Sequence, residues 1–127
     1  MSAFRVNLYA SNPKEEGKTT PPFSALVDTG SELSWLPRQP LLDVGIHPRA
    51  KKRFVTADGT VVERDIGYAI LSAEGYKTID EVVFAEKADS TLLGVRTLEG
   101  FSVMVDNIGH RFVAATSLAT GSTSLRQ

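Results

Sequence analysis

Apolar and polar residues alternate in short runs along most of the chain, and each run is closed by turn residues. A period of two places one face of an extended segment in a core and the other in water, which predicts β-strands throughout. Phe4, Val6, Leu8 and Ala10 alternate with Arg5, Asn7 and Tyr9, and the run stops at a charged turn over residues 11–17. Pro21-Pro22 then leads into Phe23–Val27, which predicts a hairpin partner for the first strand and ends on Asp28. Residues 31–48 carry Pro37, Pro40, Gly45 and Pro48, so a loop is expected there, with at most one helical turn around residues 39–44.

An Asp58-Gly59 pair flanked by Phe54-Val55-Thr56-Ala57 and Thr60-Val61-Val62 predicts a projecting hairpin. Its outgoing arm continues through Arg64, Ile66, Tyr68 and Ile70, with a bend expected at Gly67. A second hairpin turns at residues 73–76 into a strand over 78–85. After a polar loop, Val95, Leu98 and Phe101 recur every third residue, predicting one short helix. Val103 and Val105 resume the alternation, residues 106–109 turn, and residues 111–115 form a last strand. The polar stretch 116–127 reads as a flexible C-terminal tail. The pattern is that of a single all-β domain over residues 1–115.

Composition narrows the chemistry. The chain has 127 residues, of which 42% are hydrophobic and 23% charged, and it contains no cysteine. That length buries enough surface to fold without staples, and the lack of cysteine excludes disulfide scaffolds, thiolate metal sites and a cysteine nucleophile. A formal net charge of −1 offers no electrostatic basis for binding nucleic acid or an anionic membrane. The basic cluster at residues 49–53 reads as a short solvated loop. Apolar runs such as residues 68–71 and 82–85 are far too short to span a membrane, so a cytoplasmic protein is expected.

The informative stretch is Ala25-Leu26-Val27-Asp28-Thr29-Gly30-Ser31, where an apolar strand runs directly into an acid and then into small residues. A carboxylate at the end of a buried strand is costly unless it is hydrogen-bonded or neutralised. As an isolated triplet, Asp-Thr-Gly is also an ordinary turn. It is followed by the Ala57-Asp58-Gly59 hairpin and then by Leu92-Leu93-Gly94. In this order of parts the chain resembles the retropepsin-type aspartic proteases, and most of all their prokaryotic branch. The resemblance runs from about residue 4 to residue 113.

The resemblance implies an acid-protease barrel with a flap hairpin, active as a homodimer that hydrolyses peptide bonds. Asp28, Thr29 and Gly30 would form the catalytic loop, with Thr29 locking the two loops together, Gly30 permitting close approach and Ser31 bonding the outer oxygen of the Asp. Leu92, Leu93 and Gly94 would pack beside that loop, and Ala57, Asp58 and Gly59 would form the flap tip over a peptide or protein substrate. No cofactor or metal is implied. Retroviral members carry Arg directly after the second glycine, where it braces the dimer; here that position is Val95 and the Arg follows at Arg96. Charge physics points to the same chemistry: two carboxylates about 3 Å apart share one proton, so one acts as base toward water and the other as acid toward the scissile carbonyl. One chain holds one such Asp, so the second must come from a second copy.

Other readings are weaker. Asp58-Gly59-Thr60 has Thr56 where a dehalogenase-type phosphatase loop needs its nucleophilic Asp, and ligand acids do not alternate there as in a calcium loop. His47 and His110 read as surface or packing residues, and Asp106 as part of a turn. Trp35 reads as a core or loop anchor close enough to Asp28 to wall a pocket. The rival from another class is a peptide-binding module that uses the same dimeric fold without cutting.

Overall fold

In the first strand, β1 (Arg5–Asn12), Val6, Leu8 and Ala10 turn inward while Arg5 and Asn7 face water, as the alternation requires. A computed structural model of the chain describes residues 3–115. The chain continues through β2 (Glu15–Thr19), β3 (Phe23–Val27), β4 (Ser34–Pro37), α1 (Arg38–Asp43), β5 (Ala50–Val55), β6 (Val61–Ala73) and β7 (Tyr76–Ala85). It then forms β8 (Leu92–Leu93), α2 (Val95–Phe101), β9 (Val103–Asp106) and β10 (Arg111–Ala114). The all-β expectation holds: α2 is the expected short helix, and the helical turn allowed around residues 39–44 is the six-residue α1. The expected tail, 116–127, lies outside the described residues.

Eight strands form one sheet in the order β2-β1-β3-β8-β4-β7-β6-β5. A further pairing of β1 with β6, from Tyr9 opposite Ser72 to Ser11 opposite Ile70, closes β1, β3, β8, β4, β7 and β6 into a ring. Closure pairs strand edges that would otherwise be exposed. The ring encloses Leu8, Ala10, Ala25, Leu36, Leu71, Val82, Phe84 and Leu93. A smaller apolar cluster of Leu33, Ile66 and Val83 carries Trp35 and Phe54 at its margin. β9 and β10 form a separate two-stranded sheet, where Phe112 packs its ring near those of Phe4, Tyr76 and Phe101. Among the described residues no helix is long and apolar enough to cross a membrane.

Three segments depart from the sequence pattern. Residues 15–19 form a strand rather than part of a turn, yet every residue of β2 is exposed, so nothing in it alternates. Ser34–Pro37 is a strand inside the expected loop; it is only four residues long and carries a buried serine. The basic cluster is not a loop: Lys51, Lys52 and Arg53 lie on β5, at the end of the sheet order, where lysines discourage further strand pairing. Gly67 sits where β6 is crossed by the preceding loop; a Cβ there would meet the His47 carbonyl oxygen at 2.7 Å.

Candidate active site

The site is built where β3 ends. Val27 and Leu26 pair in parallel with Leu93 and Leu92 of β8, and the Asp28 N–H extends that ladder by donating to the Leu93 carbonyl at 2.9 Å. β8 lies between β3 and β4, with Trp35 opposite Leu92. Past this point the backbone turns: the Ser31 N–H donates to the Asp28 carbonyl at 3.1 Å, and the Gly30 N–H donates to Asp28 Oδ1 at 2.9 Å. A Cβ on residue 30 would lie 3.2 Å from that same oxygen, close enough that the carboxylate would have to give by a few tenths of an ångström, so glycine suits the position. Asp28 is half-buried, while Thr29 and Gly30 are exposed. Its second carboxylate oxygen carries no hydrogen bond among the described residues, which leaves it available to a ligand or a second acid.

The loop rests on the Leu92-Leu93-Gly94 element through a polar lattice. Val95 and Arg96 N–H groups donate to the Ser31 and Glu32 carbonyls at 2.8 and 3.0 Å. The Gly94 N–H donates to Ser34 Oγ at 2.9 Å, and that hydroxyl lies 2.7 Å from Thr97 Oγ1. Ser34 and Thr97 are fully buried, so these bonds are shielded from water. Ser31 differs from the expectation: within the chain its hydroxyl donates to the Leu33 carbonyl at 2.7 Å rather than to Asp28. Arg96 is likewise engaged within its own chain, with Asp80 at 3.3 Å and Glu81 at 3.0 Å on β7.

Asp28 opens into a cleft of about 610 Å³. Leu26, Gly30, Ser31, Glu32, Leu33, Trp35 and Leu92 line its floor side, Phe54 to Ala57 come from the β5–β6 hairpin, and Ala88, Asp89 and Ser90 come from the loop before β8. The cleft thus unites Asp28, Gly30, Ser31, Leu92 and Ala57 from the expected set. Thr29, Asp58, Gly59, Leu93 and Gly94 are not among its lining residues; Leu93 and Gly94 support the loop as buried backbone. Sequence reasoning missed Glu32, Leu33, Phe54 and the 88–90 wall. Alternation marked Phe54 as a strand residue, but nothing in the local pattern marks residues 88–90 as a wall.

At the hairpin tip the turn is tied by one carboxylate. Asp58 accepts bonds from the Thr56 hydroxyl and the Thr60 N–H, and Gly59 adopts φ of 86°, which glycine reaches without strain. The Thr56 hydroxyl foremost, then Thr60, holds the Asp58 carboxyl down to about 2, so the tip stays anionic well into acid. Asp106 fits its turn reading, accepting the Ile108 and Gly109 N–H groups and pairing with Arg111 at 3.1 Å. The His110 ring stacks on Phe4 at 5.4 Å. Among the described residues no group of three or more His, Cys, Asp or Glu side chains is placed to hold a metal ion. Comparison with known proteins finds no matching family model and no matching curated protein.

Proposed function

We propose that the chain is an aspartic endopeptidase of retropepsin type that works as a homodimer, each copy contributing one Asp28. The observation that carries this reading is the placement of Asp28. It stands at a strand end, one oxygen held by the Gly30 N–H and the other without a partner among the described residues, at a cleft walled by a projecting hairpin. A carboxylate with a single internal bond retains capacity to share a proton. The apolar lining from Leu26, Leu33, Trp35 and Phe54 suits the side chains of an extended peptide.

With two Asp28 carboxylates about 3 Å apart, mutual repulsion keeps one protonated. The ionised partner takes a proton from a bound water, which attacks the scissile carbonyl carbon, while the protonated partner donates to the carbonyl oxygen. The resulting gem-diol breaks down as the carboxyl that took the water proton passes it to the departing nitrogen, the C–N bond cleaves, and the other carboxylate takes a proton back from a gem-diol hydroxyl, which restores the pair. In this scheme the hairpin acts as the flap: its backbone pairs with the peptide and its closure excludes water.

Incubating the protein with a mixed peptide library between about pH 4 and 7, read by mass spectrometry, tests the assignment. Cleavage that disappears in Asp28→Asn, with dimer mass unchanged in ultracentrifugation, is the expected result; undiminished cleavage by that variant rejects it. Specific activity must also fall on dilution as the dimer dissociates. A monomer with full activity would contradict a shared site, and peptide binding without cleavage would favour a binding module.

A further inference from the structure

We infer that Arg64 and Asp89 form a clamp that sets the width of the cleft, tying the outgoing arm of the hairpin to the loop that forms another of its walls. The inference rests on the peptidase reading for its effect on substrate, and on geometry alone for the clamp itself. Asp89 lies in the irregular connection between β7 and β8 and lines the cleft with Ala88 and Ser90. Arg64 lies on β6 opposite Lys52 of β5, in the hairpin whose Phe54 to Ala57 line the same cleft.

The pair has the form that makes an ion pair mechanically useful. Arg64 Nε donates to Asp89 Oδ2 at 2.7 Å and Nη2 donates to Oδ1 at 3.0 Å, a two-pronged contact that fixes both direction and distance. The third arm of the guanidinium, Nη1, donates to the Glu63 carbonyl at 2.9 Å, anchoring the side chain to its own strand. On the other side Asp89 Oδ2 also accepts the Glu86 N–H at 2.8 Å, and the Asp89 N–H donates to the Glu86 carbonyl at 2.9 Å. The carboxylate therefore holds its own loop in shape while gripping the hairpin. Both side chains are more than four-fifths shielded, with 18% and 16% of their surface exposed, so water competes weakly for the contact. Among the described residues this is the hydrogen-bonded link between the hairpin and the 86–90 loop.

Nearby the hairpin is also held by the Trp35–Phe54 ring contact, with centroids 5.0 Å apart, and by Asp65, which pairs with Arg38 while Arg38 reaches only to 3.8 Å from Glu86. An apolar contact is non-directional and lets the hairpin pivot about its root. The charged fork removes that freedom. A cleft whose walls are held at a set spacing spends less ordering entropy when a peptide enters, so Arg64 is a positioning residue for substrate engagement, not one that touches reacting atoms.

Arg64→Gln, Asp89→Asn and the double variant test the clamp. Asp89→Asn keeps an oxygen for the Glu86 N–H and preserves the loop's own turn. Native-state amide exchange of residues 54–62 is expected to quicken about tenfold in either single variant, with β1 and β3 amides unchanged and little further gain in the double variant. For a cleaved peptide, KM rises about tenfold while kcat stays within about twofold, because uniform binding has been lost rather than transition-state stabilisation. Unaltered hairpin exchange, or two single effects that simply add in the double variant, overturns the clamp. A fall in kcat at constant KM overturns its positioning role. Should the wild-type protein cleave no peptide, the exchange measurement still decides the clamp, and the peptidase reading fails separately.

Discussion

The Gly94 N–H donates to the hydroxyl of Ser34 at 2.9 Å, joining the turn after β8 to the start of β4 through a serine with no exposed surface. The same hydroxyl meets Thr97 Oγ1 at 2.7 Å, so a single side chain links the Asp28 support element to helix α2. Buried polar groups of this kind stabilise only when every partner is present.

Ser34→Ala leaves the Gly94 N–H and the Thr97 hydroxyl without their partner. A loss of about 1–3 kcal/mol is expected, measured as a lower urea midpoint with an unchanged m-value. A change within error would mean that the lattice contributes nothing net to folding.

Gly94→Ala is expected to be worse. A Cβ there would stand 2.4 Å from the Leu33 carbonyl oxygen and 2.9 Å from that of Ser31, and both are backbone atoms that cannot rotate away. The Asp28 loop must shift, at a cost of about 3 kcal/mol or more. Thermal unfolding and loss of peptide cleavage should appear together.

Asp80 carries a pH signature. Its side chain is 9% exposed and Oδ2 has no hydrogen-bond partner among the described residues; burial raises its carboxyl above the usual range despite the Glu81 N–H bond and the attraction of Arg96. A carboxyl whose folded pKa exceeds its unfolded one favours the fold most when protonated. That contribution is complete below the unfolded pKa of about 3.9 and is lost as pH rises through the folded value. Asp80→Asn removes this dependence, so its stability relative to wild type should climb as pH rises above about 4. Denaturant melts across that range check the slope, and a flat difference refutes it.

Asp58 behaves in the opposite sense. Its depressed carboxyl favours the turn above the unfolded pKa, a preference lost as pH falls through about 2. Thr56→Val removes the leading cause and should move the Asp58 midpoint from about 2 toward the ordinary 3.9. An NMR titration of the side-chain carboxyl reads the shift directly. An unmoved midpoint would assign the effect to the Thr60 backbone instead.

Much of the fold was legible because burial imposes a period. β1, β3 and helix α2 each bury one face, and their apolar residues recur accordingly, while the projecting hairpin was legible from its Asp58-Gly59 turn. β2 was hidden because both its faces are in water, and β4 because four residues containing a serine and a proline carry no period. The basic residues of β5 read as loop because an edge strand is patterned to deter pairing rather than to pack. Within the site, Asp28 and Gly30 stand out locally, since an acid after an apolar run and a glycine beneath a carboxylate leave sequence marks. Ser34, Thr97, Arg64 and Asp89 leave none, because each draws its meaning from a partner far along the chain.

The sequence by itself determined the β-class, the turn at Asp58-Gly59 and the exclusion of thiol chemistry, all consequences of local sterics, periodicity and composition. Only the tertiary structure decided that β8 lies between β3 and β4, that β1 meets β6 to close the ring, and that Asp28 shares one cleft with the hairpin and the 88–90 loop. Those relationships join residues distant along the chain, and no short-range rule encodes which distant backbone groups will satisfy one another once a core excludes water.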